Sequence, residues 1–314
     1  MNSSVGLQKP KALRQGSRIA PIAPASSAKE GRIAAGKMEL ERLGFSVAPQ
    51  RTMNPEGYFT GSPEERRSEL LDALNDPSIG ALIATRGGYG SAYLLDAALP
   101  EKLPPIRPLI GFSDLTTLQI YLWQKHRWPS FYGPMLAAGL DGGADAPDGY
   151  DSESFRNAVT NSNSGWQVSL AGEVLNAGSA EGILLGGAMT LVEATLGTPW
   201  ELDTTGSILI LEDRGMKPYQ VDRVLLHLKH AGKFRDVRGI ILGDFPECDP
   251  PVAASPSVRD VAQRLLAPLS IPIVFGAPVG HTPRPMLTLP LGVPARLVAE
   301  GQGTLKILEP TVCP

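Results

Sequence analysis

Short runs of apolar residues alternate with helical patterns through the first half of the chain. The runs predict strands at residues 18–23, 45–48, 81–84, 108–112 and 130–132. Strands that alternate with helices pair mostly in parallel, and the helices cover both faces of the sheet. Because residues 81–84 are continuously apolar, they are typical of a strand that is buried on both faces. The first half therefore predicts an α/β domain with a mostly parallel sheet.

Two helix starts have recognisable sequence signatures. Ser27 and Glu30 have the spacing of a capping box, which predicts a helix that ends before Gly44. Ser62 and Glu65 have the same spacing, and proline occupies the first helical position between them. A second helix is therefore expected to begin directly after Ser62.

A change of composition divides the chain. Residues 141–172 are rich in Gly, Asp, Asn and Ser. We interpret residues 1–145 as an N-terminal α/β domain, residues 146–172 as a linker with a short helix, and residues 173–314 as a smaller, β-rich C-terminal domain. The C-terminal domain is expected to contain strands at residues 208–211, 239–242 and 272–275 and helices at residues 188–196, 219–230 and 258–266.

Composition and charge exclude several classes of protein. The chain has 314 residues, 42% of them apolar, and a net charge of −3, so no nucleic-acid or membrane partner is expected. No segment approaches the roughly 18 consecutive apolar residues of a membrane span, and the N-terminus lacks a run typical of a signal peptide. Cys248 and Cys313 are predicted to be free thiols, which is typical of a protein in the reducing cytoplasm.

A serine follows the strand that is expected at residues 108–112. Ser113 is predicted to lie on a strand-to-helix turn, at the sheet edge where ligands bind in open α/β folds. The backbone N–H of Asp114 is then placed to stabilise a developing oxyanion. A serine that simply caps a helix explains the same pattern, and Leu115 stands where the nucleophile elbow of many hydrolases has glycine.

A serine nucleophile needs a base and a carboxylate that orients the base. The chain has four histidines. His227 and His230 have helical spacing and His126 ends a helix, whereas His281 lies in a tight loop directly after a strand. Glu212 ends a strand of the buried type, where a carboxylate needs a partner. A loop histidine without a role and a strand-end acid that faces solvent are the alternatives.

A glycine-rich turn follows the strand at residues 81–84. Gly87, Gly88 and Gly90 let backbone N–H groups approach a ligand closely, although a tight strand-to-helix connection needs the same glycines. Their spacing matches neither a phosphate-binding loop nor a dinucleotide fingerprint. Because the chain also lacks paired Cys-x-x-Cys and H-E-x-x-H motifs, we expect neither a metal nor another cofactor.

Several short motifs follow one another along the chain, and their combination resembles that of a known protein family. They are Arg86-Gly-Gly-Tyr-Gly90, Gly111-Phe-Ser-Asp114, Gly133-Pro134-Met135, Leu185-Gly-Gly187, Leu196-Gly-Thr-Pro199, Leu211-Glu-Asp213, Tyr219 with Asp222-Arg223, Leu242-Gly243 and Gly280-His281. With these motifs the chain resembles the serine LD-carboxypeptidase family, which also includes microcin C immunity hydrolases. The resemblance extends over residues 18–298, nearly the whole chain.

The resemblance implies a fold and a set of catalytic residues. It implies an N-terminal domain laid out like class I glutamine amidotransferases, a smaller β-rich C-terminal domain, and an active site between the two. It further implies Ser113 as nucleophile, His281 as general base and Glu212 as its orienting carboxylate. The backbone N–H groups of Gly88 and Asp114 are implied to form the oxyanion hole.

The resemblance also implies an activity and a setting. Such enzymes are cytoplasmic homodimers without metal that release the terminal D-alanine of murein tetrapeptide during cell-wall recycling. Arg86 is a candidate for binding the substrate carboxylate, or else it forms a structural ion pair. Tyr89 and Tyr132 are further candidates for substrate binding.

Two departures from the family pattern leave the substrate open. Ala188 stands where the family often has asparagine, and Tyr132 where it often has histidine. One alternative is hydrolysis of peptidyl- or aminoacyl-adenylates, for which Trp166 or Trp200 would stack on adenine. The other is a non-catalytic peptide-binding protein on the same scaffold, which the complete set of three catalytic residues disfavours.

Overall fold

The computed structural model describes residues 9–96, 99, 105–252 and 254–314. The strands are β1 (Arg18–Ile22), β2 (Ser46–Val47), β3 (Ala81–Ala84), β4 (Leu109–Gly111), β5 (Ser130–Tyr132), β6 (Trp166–Ser169), β7 (Glu173–Asn176), β8 (Gly178–Ala188), β9 (Ser207–Glu212), β10 (Gly239–Gly243), β11 (Ile273–Ala277), β12 (Leu289–Leu291), β13 (Pro294–Ala299) and β14 (Thr304–Ile307). The helices are α1 (Glu30–Arg42), α2 (Pro63–Asn75), α3 (Thr116–His126), α4 (Ser152–Thr160), α5 (Met189–Ala194), α6 (Pro218–His230) and α7 (Val258–Leu266). Residues 1–8, for which no signal peptide was expected, lie outside the described residues.

The two predicted helix starts have different outcomes. At α2 the capping box is confirmed, because the Ser62 hydroxyl accepts from the Glu65 N–H at 3.2 Å and the Glu65 carboxylate accepts from the Ser62 N–H at 2.9 Å. At α1 the predicted box is wrong. The cap residue is Lys29, and the Ser27 hydroxyl donates instead to the backbone carbonyl of Phe59.

The first sheet is mostly parallel, as the alternating pattern predicts. Its six strands have the order β12-β5-β4-β3-β1-β2. β1 to β5 pair in parallel, whereas β12 pairs antiparallel with β5. All four residues of β3 are buried, as expected for a central strand. Because β12 comes from the end of the chain, the two sheets do not divide the sequence at one point.

The second sheet has eight strands in the order β6-β14-β13-β8-β9-β10-β11-β7. β8 to β11 pair in parallel, and antiparallel strands complete both sides. The segment 146–172, which we interpreted as a linker, carries α4 and β6, and β6 is an edge strand of this sheet. The sequence boundaries of the two domains stay a prediction.

One apolar core connects the two sheets. Its buried side chains include Leu82 and Phe112 from the first sheet and Ile208 and Ile210 from the second. Because these side chains form one cluster, the sheets hold the ends of β4 and β9 in a fixed relation. Ser113 lies on the turn after β4, and Glu212 is the last residue of β9.

Two expectations from composition also concern the fold. Cys248 and Cys313 are both free, as predicted. Within the part of the chain that the structure describes, no helix has the length and hydropathy needed to cross a membrane.

Candidate active site

Ser113 stands on the turn that follows β4. Its φ is 61°, and residues Ser113–Leu115 form a 3-10 turn ahead of α3. Ser113 is not a helix cap, because α3 begins after Leu115 without a side-chain cap. Its side chain lines a cavity of about 530 Å³. Gly87 passes so close that a Cβ there would lie 2.8 Å from the Ser113 Cβ, so this position requires glycine.

Glu212 ends β9 and is completely buried, with an exposed fraction of 0%. Its Oε2 lies 2.8 Å from Nδ1 of His281 and accepts from the His281 backbone N–H at 2.9 Å. The loop of His281 reaches the carboxylate because position 280 is glycine. A Cβ on Gly280 would lie 2.3 Å from the Glu212 carboxyl carbon. The pairing of Glu212 with His281 is thus as the sequence predicted.

His281 lines the same cavity as Ser113. Its ring meets the ring of Phe112 edge-on, with 5.1 Å between centroids. Burial lowers the pKa of His281, but the charge and the hydrogen bond of Glu212 outweigh burial, so the pKa lies above its ordinary value. The histidine is therefore held in one orientation beside a negative charge.

Tyr132 lies outside the cavity wall, whereas its predicted role in substrate binding would place it in that wall. Its side chain is completely buried at the end of β5, and the wall of the cavity does not include it. Its hydroxyl donates to Oε1 of Glu212 at 2.5 Å and accepts from the backbone N–H of Ser113 at 3.4 Å. Tyr132 thus lies behind the catalytic candidates, where its hydroxyl contacts two of them.

Gly88 and Asp114 both line the cavity beside Ser113. Gly88 has a φ of 99°. The carboxylate of Asp114 accepts from the Ser91 N–H at 2.7 Å, and burial raises the pKa of this carboxyl. The backbone carbonyl oxygen of Asp114 accepts from the Ser91 hydroxyl, so a contact of Asp114 with a ligand would involve its backbone N–H.

Of the two other predicted substrate-binding residues, Arg86 and Tyr89, one lines the cavity and the other does not. Arg86 lines the cavity, and its Nη1 donates to the Ser27 carbonyl at 2.7 Å. Tyr89 is 47% exposed and lies outside the cavity wall, where its ring packs against Phe59 and Tyr93. Arg86 therefore stays a candidate for substrate contact, while Tyr89 belongs to an exposed aromatic cluster beside the turn.

Two further arginines face the cavity, and the sequence did not indicate them. Arg32 extends from α1 and forms an ion pair with Asp141. Arg214 follows β9 and forms an ion pair with Glu247. The position of Arg214 directly after the acidic pair at the end of β9 was an available signal, whereas nothing in the helical pattern of α1 singles out Arg32.

Asp213 is a buried acidic side chain in the cavity wall. Its Oδ2 accepts from the N–H and the hydroxyl of Thr190, at 3.0 and 2.8 Å, and its Oδ1 accepts from the Arg214 N–H at 2.9 Å. Burial, and secondly the charge of Glu212, raise the pKa of Asp213. This network connects the first turn of α5 to the residues that follow β9 in the cavity wall.

Comparison with known proteins shows the family. The model of the LD-carboxypeptidase N-terminal domain matches residues 19–133, and the model of the LD-carboxypeptidase C-terminal domain matches residues 181–297. The chain belongs to the LD-carboxypeptidase family. It is therefore a serine-type carboxypeptidase, and the fold class and enzyme class expected from the sequence are confirmed. Ser113 lies in the first matched segment, and Glu212 and His281 lie in the second.

Individual relatives of this LD-carboxypeptidase are similar over nearly their whole length. A probable murein peptide carboxypeptidase of Bacillus subtilis is 33% identical, over 92% of this chain and 91% of the relative. The crystal structure of muramoyltetrapeptide carboxypeptidase from Oxalobacter formigenes has a TM-score of 0.82 at 28% identity, and 93% of this chain and 99% of that chain are covered. The microcin C7 self-immunity protein MccF in complex with aspartyl sulfamoyl adenosine has a TM-score of 0.87 at 25% identity, with coverage of 97% and 99%.

Proposed function

We propose that this LD-carboxypeptidase cleaves its substrate with Ser113 as nucleophile, His281 as general base and Glu212 as the orienting carboxylate. The observation that carries the proposal is the 2.8 Å contact between Glu212 and His281, in a cavity whose wall includes both His281 and Ser113. A nucleophile, a base and a buried carboxylate that orients the base form the set of groups that a serine hydrolase needs.

In the proposed mechanism, His281 takes the proton of the Ser113 hydroxyl as Oγ attacks the carbonyl carbon of the scissile bond. The imidazolium that forms remains beside the negative charge of Glu212, which stabilises it. The tetrahedral intermediate collapses, the carbon–nitrogen bond breaks, and His281 returns the proton to the leaving amine. Water then attacks the acyl-enzyme with His281 again as base, and Ser113 is regenerated with release of the shortened peptide.

The oxyanion of each tetrahedral intermediate needs hydrogen-bond donors that are already in place. We assign this role to the backbone N–H groups of Gly88 and Asp114. Both residues line the cavity beside Ser113, one on the glycine-rich turn and one directly after the nucleophile. Each such donor is worth roughly 10² to 10³ in rate in other serine hydrolases.

Murein tetrapeptide is the proposed substrate, and its terminal D-alanine the leaving group. Two relatives that are similar over nearly all of this chain are named for murein peptide and for muramoyltetrapeptide. Arg32, Arg86 and Arg214 line the cavity, and three positive side chains there favour a peptide that carries several carboxylates. We assign the terminal carboxylate to Arg86, because it lies on the same turn as the proposed oxyanion donor Gly88.

The proposed setting is peptidoglycan recycling in the cytoplasm, with the enzyme acting as a homodimer. The net charge of −3 and the two free thiols are compatible with that compartment. Gel filtration coupled to light scattering tests the dimer, and cell fractionation tests the compartment.

A second candidate activity is hydrolysis of aminoacyl-adenylates, which the high fold similarity to MccF favours. This activity would be helped by an aromatic ring that stacks on adenine. Trp200 packs instead against Tyr121, and neither Trp200 nor Trp166 lines the cavity. Among the described residues, Phe112 supplies the aromatic ring of the cavity wall, and that ring contacts His281. These positions favour the peptide substrate.

The experiment that tests the proposal uses two substrates in parallel. The purified protein and its Ser113→Ala variant are incubated with murein tetrapeptide or with aspartyl sulfamoyl adenosine, and the products are identified by mass spectrometry. We expect the wild-type protein to convert tetrapeptide to tripeptide plus D-alanine. If aspartate is released from aspartyl sulfamoyl adenosine but no D-alanine is released from tetrapeptide, the second activity is established instead. If neither amino acid is released, the proposal is contradicted.

A further inference from the structure

Tyr132 is enclosed on all sides directly behind the proposed catalytic residues. Its exposed fraction is 0%, and its ring meets the ring of Phe112 edge-on with 6.2 Å between centroids. A Cβ on Gly187 would lie 3.1 Å from the edge of the tyrosine ring. With neighbours packed this closely, the hydroxyl is held at one position.

The hydroxyl of Tyr132 occupies a junction between the two sheets. It donates to Oε1 of Glu212 at 2.5 Å and accepts from the backbone N–H of Ser113 at 3.4 Å. A phenol has one proton to donate, and Tyr132 donates it to Glu212. In the contact with Ser113, the phenol oxygen is therefore the acceptor and the backbone N–H is the donor. Burial, and secondly the charge of Glu212, hold the pKa of Tyr132 well above its ordinary value, so the hydroxyl keeps this proton.

We infer that Tyr132 is a positioning residue, whose hydroxyl fixes Oε1 of Glu212 and the backbone of Ser113 relative to each other. The inference rests on the catalytic roles proposed above. It goes beyond them because it couples the nucleophile turn of the first sheet to the carboxylate of the second through one side chain.

The reason lies in the burial of Glu212. A carboxylate with an exposed fraction of 0% needs a donor for each oxygen. His281 supplies the donors of Oε2, and Tyr132 donates to Oε1. Without the hydroxyl, Oε1 loses this donor, while Oε2 stays in contact with His281. The negative charge of the carboxylate is then stabilised by His281 alone, and the carboxylate is no longer fixed relative to the backbone of Ser113.

The test is Tyr132→Phe, which removes the hydroxyl and keeps the ring. The four histidines are labelled with carbon-13 and titrated by NMR, with His281→Ala used to assign the signal. We expect the pKa of His281 to rise by about one unit, because a carboxylate that loses one donor attracts the imidazolium more strongly. The other charged groups that act on His281 are Asp213 and Arg214, which the substitution leaves in place.

Turnover of murein tetrapeptide gives the second readout. We expect kcat to fall roughly 10- to 100-fold at a pH above the pKa of His281, as for loss of one hydrogen bond to a charged group. KM should stay within about twofold, since Tyr132 does not line the cavity. A role in packing alone would change neither the titration nor the ratio of kcat to KM.

Tyr150→Phe is the matched control. Tyr150 also has an exposed fraction of 0%, its hydroxyl donates to Oε1 of Glu39 at 2.6 Å, and its ring meets Phe155 edge-on. Tyr150→Phe therefore also removes a hydrogen bond from a buried tyrosine hydroxyl to a glutamate, but at a place outside the cavity. We expect a comparable loss of thermal stability, with the titration of His281 and the turnover unchanged.

The outcomes separate the inference from the proposed function. An unmoved pKa of His281 in Tyr132→Phe, with or without loss of turnover, overturns the inference. Absence of D-alanine release by the wild-type protein overturns the proposed function, and the titration still reports on the hydroxyl. If the variant does not fold, the wild-type hydroxyl proton of Tyr132 is followed by NMR. Its resonance should shift as His281 titrates, and a constant resonance contradicts the coupling.

Discussion

One oxygen of Glu212 contacts His281 at two points. Oε2 accepts from the backbone N–H at 2.9 Å and lies 2.8 Å from the ring Nδ1. The same carboxylate oxygen therefore fixes both the loop and the ring of His281. Because Nδ1 is engaged, Nε2 is the ring nitrogen that the proposed mechanism uses as the base.

Ser113→Ala is expected to abolish turnover and to leave the fold intact. Removal of the nucleophile should lower kcat by about 10⁴-fold or more, as in other serine hydrolases. Thermal stability should change little, because the hydroxyl faces a cavity. Ser164→Ala removes an exposed hydroxyl on a loop outside the cavity and serves as the control. Near wild-type turnover by Ser113→Ala would exclude this serine as nucleophile.

Glu212→Gln is expected to impair both activity and stability. Loss of the charge should cost on the order of 10⁴ in rate, because the imidazolium is no longer stabilised or oriented. The amide must also take the place of a buried carboxylate with donors on both oxygens, so the free energy of unfolding should fall by roughly 1 to 3 kcal/mol. Urea denaturation and turnover of murein tetrapeptide measure the two effects. A variant with more than about a tenth of wild-type kcat would contradict the assignment.

The pH profile of kcat/KM should show an acid limb above the ordinary pKa of histidine, about 6.5. The pKa of His281 is raised beside Glu212, and the protonated ring cannot accept the proton of Ser113. Activity is therefore lost as the pH falls through the raised pKa. In Glu212→Gln, burial acts without the neighbouring charge, so the residual activity should have its acid limb at lower pH. A limb that does not move between the two proteins would assign it to another group.

Arg214→Ala is expected to weaken binding of an acidic peptide. KM for murein tetrapeptide should rise roughly three- to tenfold, with little change in kcat. The rise in KM should be smaller at high salt, because salt screens the interaction between the charges. Arg264→Ala is the matched control, because Arg264 also forms an exposed ion pair, with Asp222, but does not line the cavity. Equal effects of the two substitutions would argue against a specific contact. A peptide with amidated carboxylates should be insensitive to Arg214→Ala.

Glu69 on α2 should make stability depend on pH. Burial raises its pKa to about 7, although its carboxylate accepts from the Ala23 N–H at 2.6 Å. The folded protein therefore favours the neutral form, and stability is lost as the pH rises from about 4.5 to about 7, by about 3 kcal/mol. Glu69→Gln should remove this dependence in urea unfolding at pH 5 and pH 8. Glu64→Gln, an exposed position on the same helix, should retain it.

The central strands of the first sheet could be predicted because they are buried on both faces. A continuous apolar run locates β3 at its observed bounds, since burial of a central strand leaves no room for polar alternation. β5 also has its predicted bounds, although it begins with a serine. β8 was not recognised, because its first residues are small and polar and are held in the sheet by pairing with β9 and β13. A strand of that kind is decided by its neighbours rather than by its own composition.

The start of α1 shows how tertiary contacts override a local signal. Ser27 and Glu30 have the spacing of a capping box, yet the Ser27 hydroxyl donates to the carbonyl of Phe59. That carbonyl belongs to a distant loop, which the spacing of residues within one helix cannot indicate. At α2 no such competitor intervenes, and the box of Ser62 and Glu65 forms.

The sequence by itself determined which residues stand at the strand ends. Ser113 follows β4, Glu212 ends β9, and His281 lies in the loop after β11, because strand ends and glycine turns are local features. Only the tertiary structure decided what those residues contact. The sequence predicts Tyr132 only as the last residue of a buried strand. Its hydrogen-bond partner Glu212 is 80 residues away along the chain and lies in the other sheet. Contacts between the sheets depend on how the two sheets pack together. The hydrophobic periodicity of the segments around Tyr132 and Glu212 does not indicate that packing.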